Sequence, residues 1–439
     1  MDTNDLKKVC VVHNRMGKVK TEMGEISFIP EDLLLNILIR LPIKYVLRFR
    51  LVCKDWNFLL RSHKFISLHY NHSLEKKHEK DGGSSSSFIL LRSVYNEFVN
   101  DGDPSRPLSR SILLTSFILT KTSSTSLEVT IQEEEDITRM SLITSNGGVP
   151  TDSDKDYMQL FCPFDGLICM ANGFNFVFYN PATKEMQMLP SPYPSRLSYS
   201  QLVSLELQPC YLGVWFESDM KQYKVFRIVY CEEFCNIEVY NSTVNNWRAI
   251  KTIHGRVCPL SCLLFNGVFH FCMEMMDEDD YLVIVTLDAK SEMVGQFELP
   301  SFIVGMHISP SYMLPFRGKL AYLEPNILTS DDFDVQSIYC DIWVMTEYGI
   351  EQSWTKQCSI LLDVIDYDDY ESYEHLFCPL AFWKFMDEEE NELLMRTYYG
   401  NIVTCNLDTH KIIDLNLGCV YHSSTKIVPN NMETFFSLK

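Results

Sequence analysis

The 439-residue sequence contains no run of about 18 apolar residues, so it offers no helix able to cross a bilayer, and no membrane partner is expected. Its first 25 residues carry charge throughout, and Val9-Cys10-Val11-Val12 is too short for the apolar part of a signal peptide. The expectation is a cytoplasmic protein that can also reach the nucleus. A glycine-rich phosphate loop, a nucleophile elbow and a helix with paired histidines are all missing, so nucleotide chemistry, serine-type acyl transfer and zinc hydrolysis have no motif to rest on. No catalytic residue and no cofactor is expected. The 15 cysteines are odd in number and lack framework spacing, which describes reduced and mostly buried thiols. Cys258-Pro-Leu-Ser-Cys262, followed by His270 and Cys272, alternates with apolar residues as a strand interior does and lacks regular zinc spacing, so no metal is expected.

Basic residues are scarce beyond residue 70. Residues 1–70 hold 12 Lys+Arg against 7 Asp+Glu, and the rest of the chain holds 26 against 51. A segment this acidic repels phosphate backbones, which argues against nucleic acid, and its field steers basic proteins toward it. Acidity that merely keeps the segment soluble explains the same numbers.

What the sequence does have begins at Ile29-Pro-Glu-Asp-Leu-Leu-Leu-Asn-Ile-Leu-Ile-Arg-Leu-Pro42. Pro30 followed by Glu31 and Asp32 suits the first turn of a helix, where proline loses no hydrogen bond and carboxylates meet the positive dipole end. Leu33, Ile37, Leu38 and Leu41 fall on one apolar helical face, and Pro42 ends the helix. A second amphipathic run covers Ile43, Val46, Leu47, Leu51-Val52-Cys53, Trp56, Leu59 and Leu60. A unit of about 45 residues is marginal as a free-standing domain.

Residues Ile29–Leu33, Leu41-Pro42, Leu47-Arg48, Arg50–Trp56 and Phe65 together resemble the F-box, with Ile29 and Asn36 as mild departures from the family pattern. The resemblance covers residues 26–70. It implies a three-helix module that docks a Skp1-like adaptor and, through it, cullin-1 and a RING subunit. The implied adaptor-binding residues are Ile29, Pro30, Leu33, Ile37, Leu41, Pro42, Leu47, Val52 and Trp56.

Residues 71–87 run through charge into Gly82-Gly83 and four serines, which is linker composition, and residues 1–25 read as a flexible tail. From Phe88 the period changes to that of strands, with Asp101-Gly-Asp-Pro and Glu133-Glu-Glu-Asp136 as loops. Five hairpin-like phrases then recur, at Phe176–Pro190, Ile237–Trp247, Leu282–Phe297, Ile342–Trp354 and Ile402–Leu415. Their turns are placed at Asn180, Asn241, Asp288, Glu347 and Asp408, where Asn or Asp can bond the backbone two residues on. Gly166, Gly267 and Gly318 each precede a further strand. About four strands per unit describes propeller blades over residues 88–437, and a two-sheet β-sandwich is the alternative.

Phe161–Asn172 with Asn180-Pro-Ala-Thr-Lys184 resembles the start of the F-box-associated domain of plant F-box proteins, and Ile342–Trp354 is most similar to the S-locus F-box proteins. The resemblance implies a non-catalytic receptor of an SCF ubiquitin ligase. Its acidic β domain would hold a basic substrate, with a stylar S-ribonuclease as the most specific candidate. A scaffold without a degradation role and a receptor with an unrelated substrate are the alternatives. Candidate substrate-binding residues are three acidic insertions: Asp277, Glu278, Asp279 and Asp280; Asp366, Tyr367, Asp368, Asp369, Tyr370 and Glu371; and Asp387, Glu388, Glu389 and Glu390.

Overall fold

A computed structural model describes residues 31–41, 43–62, 64–65, 68–69, 72, 85–95, 110–123, 126–136, 158–164, 167–172, 175–180, 185–190, 208–216, 222–231, 233–275, 281–300, 303, 312–329, 335–366, 377–384, 391–397, 400–417 and 426–429. Three short helices come first: α1 (Glu31–Leu38), α2 (Ile43–Phe49) and α3 (Lys54–Leu60). Each is shorter than the ~12 residues at which an isolated helix holds in water, so packing must hold them. Leu34, Leu35, Leu38, Val46, Trp56, Leu60 and Phe65 form their common core. Trp56 meets Phe49 edge-on, with ring centroids 5.2 Å apart. The inward face of α1 differs from the one read in the sequence. Leu34, Leu35 and Leu38 are buried, whereas Leu33 and Ile37 are 56% and 54% exposed. The run Leu33-Leu34-Leu35 suits either face, and only the position of α2 and α3 chooses between them.

The strands, in chain order, are β1 (Ser85–Tyr95), β2 (Arg110–Ser123), β3 (Ser126–Asp136), β4 (Met158–Phe164), β5 (Leu167–Asn172), β6 (Asn175–Asn180), β7 (Glu185–Met188), β8 (Gln208–Phe216), β9 (Tyr223–Tyr230), β10 (Phe234–Asn241), β11 (Asn246–His254) and β12 (Arg256–Phe265). They continue with β13 (Val268–Met275), β14 (Tyr281–Asp288), β15 (Val294–Glu298), β16 (Tyr312–Phe316), β17 (Lys319–Thr329), β18 (Val335–Met345), β19 (Trp354–Asp366), β20 (Phe377–Trp383), β21 (Glu392–Thr397), β22 (Ile402–Asn406), β23 (Ile412–Asp414) and β24 (Lys426–Pro429). Among the described residues these make six four-stranded antiparallel sheets.

Five of the sheets are plain meanders, β4–β7, β8–β11, β12–β15, β16–β19 and β20–β23, forming blades two to six. The first blade is composite. β1, β2 and β3 take the outer three places, and β24 supplies the innermost one through pairs such as Ile89–Val428 and Leu90–Ile427. The six innermost strands touch in a closed circle, β4 to β8 to β12 to β16 to β20 to β24 and back to β4. The fold is therefore a six-bladed propeller closed by its last strand, not a sandwich. The five recurring phrases are the third-to-fourth-strand hairpins of blades two to six. The first blade escaped that pattern because its hairpin turns without an Asn or Asp, between Ser123 and Ser126.

Two boundaries shift. β1 begins at Ser85, inside the serine run read as linker, because Ser85–Ser87 pair with Thr120–Ile118 on β2. Glu133–Asp136, read as a loop, are the last residues of β3, paired with Ser116–Leu113.

Turn chemistry explains the repeat. Asn241 Oδ1 accepts from the Thr243 N–H at 2.8 Å, and Asp288 Oδ1 accepts from the Ser291 N–H and hydroxyl at 2.6 and 2.7 Å. Those two bonds hold the Asp288 carboxyl below its ordinary range. In the last blade the same work falls to Asn406, which accepts from Asp408 and Thr409, so the turn residue there is Asn406 and not Asp408. The tight first-to-second-strand turns Asn266-Gly267 and Arg317-Gly318 have positive φ at both positions, the mirror-image turn that matches strand twist.

A cation is sealed inside the third blade. Arg227 is fully buried on β9, donates to Glu238 Oε2 from Nε at 2.9 Å and from Nη2 at 2.6 Å, and lies 4.3 Å over the Trp247 ring. Glu238→Ala would remove the carboxylate that accepts both of these bonds. The expected loss is about 3–5 kcal/mol by chemical denaturation. An unchanged midpoint would show that water or another group solvates Arg227.

Candidate functional site

Two surfaces follow from this architecture, one on the helices and one on the propeller. On the helical module the inner faces are filled by the module's own core, yet large apolar groups remain outside it. Leu33 and Ile37 project from α1 one helical turn apart, Leu51 between α2 and α3 is 87% exposed, and Phe58 on α3 is 81% exposed. Large exposed apolar groups on so small a unit are a feature of protein-binding surfaces. Behind it the module is braced by polar bonds. Arg50 donates to the Leu60 carbonyl at 3.0 Å, and the His69 Nε2–H reaches the Leu41 carbonyl at 2.9 Å.

The residues assigned to adaptor binding therefore divide. Leu33 and Ile37 lie on the outward face. Trp56 is buried in the module's core, and Leu41, Leu47 and Val52 pack half-buried against it, so they support the surface from behind. Ile29, Pro30 and Pro42 lie outside the described residues. Leu51 and Phe58, which the sequence reading did not single out, are exposed as well. Leu51-Val52-Cys53 reads as one core run, and nothing in the period says that its first member faces out.

On the propeller, strand direction sorts the connections onto two rims. First-to-second and third-to-fourth connections share one rim; second-to-third connections and those between blades share the other. The ends flanking Asp277–Asp280 are Met275 of β13 and Tyr281 of β14, a second-to-third connection. Asp366 is the last residue of β19, and the next described residue is Phe377 of β20, a blade-to-blade connection. Both sets of flanking ends lie on the second rim. Trp383 of β20 and Glu392 of β21, which flank Asp387–Glu390, lie on the first. The described ends that flank the three acidic insertions read as one set thus lie on opposite rims. Asp277–Asp280, Tyr367–Glu371 and Asp387–Glu390 themselves lie outside the described residues. Thr329 of β17 and Val335 of β18, the described ends that flank Asp331, Asp332 and Asp334 in sequence, also lie on the second rim. That stretch went unremarked because Phe333 interrupts its charge.

Burial pushes the Cys235 and Cys405 thiols up to about 12 and drives the His270 imidazole down to about 4, so it is neutral near pH 7. His270 Nε2 lies 2.7 Å from the Tyr348 hydroxyl across the boundary between blades four and five. Among the described residues no three His, Cys, Asp or Glu side chains gather as a metal site.

Comparison with known proteins agrees with this layout. The F-box domain model matches residues 26–68, and the F-box associated beta propeller domain model matches residues 115–382. The F-box protein At1g30790 of Arabidopsis thaliana is 24% identical over 353 residues, 78% of each chain. The F-box protein CPR1 of the same plant is 21% identical over 429 residues, 92% of this chain and 88% of that one. Among solved structures, a functionally unknown protein from Desulfotomaculum acetoxidans superposes with a TM-score of 0.35 at 11% identity, covering 78% of this chain and 99% of that one. That score is too low to carry an argument.

Proposed function

Because the chain belongs to the F-box proteins that carry an F-box associated β-propeller domain, we propose that it is a substrate-recognition subunit of a Skp1–cullin–F-box ubiquitin ligase. The observation that carries this reading is the outward apolar face of the helical module, Leu33, Ile37, Leu51 and Phe58, on a unit whose own core is already complete. Docking that face on a Skp1-type adaptor places the propeller near a ubiquitin-loaded E2 enzyme. Ubiquitin transfer is left to the E2 and the RING subunit. The receptor acts by raising the local concentration of substrate lysines around them. Such a receptor works in the cytosol or nucleus.

The finer part of the proposal concerns the propeller. We assign recognition of a basic protein to the second rim, through Asp277–Asp280 and Asp366–Glu371, with Tyr367 and Tyr370 as apolar anchors. Trp383 and Glu392, which flank Asp387–Glu390, lie on the opposite rim, and that set is left out of the contact. With a basic secreted ribonuclease as probe, neutralising the first two sets to Asn and Gln is expected to weaken binding at least about tenfold and to flatten its salt dependence. Neutralising Asp387–Glu390 should change neither. Equal effects from all three sets would refute the rim assignment. The narrowest candidate substrate is a stylar ribonuclease, which rests on the resemblance of Ile342–Trp354 alone. A pull-down from stylar extract that yields no ribonuclease would exclude it.

A further inference from the structure

The outer edge of the third blade differs from every other blade edge in its charge. β11 occupies the outermost place in its sheet and carries Arg248 and Lys251 without a carboxylate. The five other outermost strands, β3, β7, β15, β19 and β23, are each net negative in sequence. In a chain of net charge −20 this strip stands out.

A bulge makes it one-sided. Residues three apart on a regular strand point to opposite faces. On β11 the register slips opposite Ile237 and Glu238, so that Arg248 pairs with Val239 and Lys251 with Ile237. Ile250 is the extra residue, and both cations end up on the face turned toward blade four. There the turn Asp288–Met293 of blade four approaches. Lys224 Nζ forms an ion pair with Glu292 at 2.9 Å and donates to the Lys290 carbonyl at 3.2 Å, and Arg248 also pairs with Glu292. Burial alone would raise the Glu292 carboxyl, but the Lys224 and Arg248 bonds outweigh it and hold that carboxyl below its ordinary range. Glu292 is thereby matched by two cations, Asp288 at the start of the same turn is held by its bonds from Ser291, and Lys251 and Lys290 are exposed. Val244 at the tip of the neighbouring turn is 71% exposed, and Met293 is 70% exposed.

We propose that this seam, built by Lys251, Lys290, Arg248, Val244 and Met293, docks an acidic, extended segment of a partner protein that carries large apolar side chains. Charge complementarity selects the occupant: cations set around two exposed apolar groups reject a basic or a purely polar segment. Cations on an edge strand also keep like edges apart, which disfavours contact between two β11 strands and leaves an acidic segment free to approach. The seam uses none of the residues assigned to the basic-substrate contact proposed above, so the two contacts fail or hold independently.

The test uses the full chain in complex with its Skp1-type adaptor and a fluorescein-labelled octapeptide of alternating Leu and Glu. A Leu/Lys octapeptide is the control. Fluorescence anisotropy is expected to show binding of the acidic peptide only, weakening steeply between 50 and 300 mM salt. Lys251→Glu with Lys290→Glu should weaken it at least tenfold, and Met293→Ser several-fold, at an unchanged melting temperature. Arg248 is left in place because it braces the Glu292 turn. Equal binding of both peptides, or full binding by the double variant, would overturn the proposal. So would light scattering that shows the seam already occupied by a second copy, with self-association abolished by the same double substitution.

Discussion

Leu33→Asp combined with Ile37→Asp is expected to abolish co-purification with a Skp1-type adaptor while the helical module stays folded. Both side chains are more than half exposed in the free chain, so the exchange removes almost nothing from the module's own core. In a complex that covers them, each loses about 1.5–3 kcal/mol of burial. Each new carboxylate must also be desolvated without a partner, at several kcal/mol more. Even the lower figure for two residues, about 3 kcal/mol, exceeds a hundredfold in affinity at about 1.4 kcal/mol per tenfold. Leu34→Asp makes the contrast. Leu34 belongs to the core with Leu38, Val46 and Trp56, so that variant should lose binding by unfolding the module, visible as rapid proteolysis near residue 70. Trp56→Ala should behave like Leu34→Asp, at a cost of about 3–5 kcal/mol. If Trp56→Ala left the module protease-resistant and removed only adaptor binding, the division between surface and support drawn above would be wrong.

Deleting residues 426–439 is expected to open the propeller. β24 is the innermost strand of the first blade, pairing with Phe88–Leu91 of β1, and it also touches β20 and β4 on either side. Without it the circle of innermost strands is broken at one position, and the apolar inner edge of β1 is exposed. A loss of about 4 kcal/mol would lower the melting temperature by about 5 °C in a domain of this size. β24 runs antiparallel to β1, so moving residues 426–429 to a short hairpin ahead of Ser85 gives the first blade the same meander as the other five. That permuted chain should recover the lost stability. A deletion variant that melts like the intact chain would show that closure is made elsewhere.

Much of this layout can be read before any coordinates, for identifiable reasons. The hairpins of blades two to six announce themselves because their turns need a side chain that accepts from the backbone, as Asn241, Asp288 and Asn406 do. The first blade stays hidden because its strands come from the two ends of the domain, and no local pattern links Leu90 with Ile427. The same holds at finer scale. The apolar run on α1 is plain in sequence, but whether Leu33 or Leu34 turns inward depends on α2 and α3. The basic pair on β11 is legible as Arg248 and Lys251, yet a strict period of two puts them on opposite faces, and only the bulge at Ile250 brings them together. The acidic insertions are conspicuous in composition, while the division of the strand ends that flank them between two rims follows from strand direction alone.

The most direct measurement is mass photometry of the full chain mixed with recombinant Skp1-type adaptor, cullin and RING subunit. A receptor that bridges ligase and substrate should appear at the mass of a one-to-one-to-one-to-one assembly, and the Leu33→Asp, Ile37→Asp chain should remain alone at 51.1 kDa. A wild-type chain that stays at that mass with all partners in excess would contradict the account.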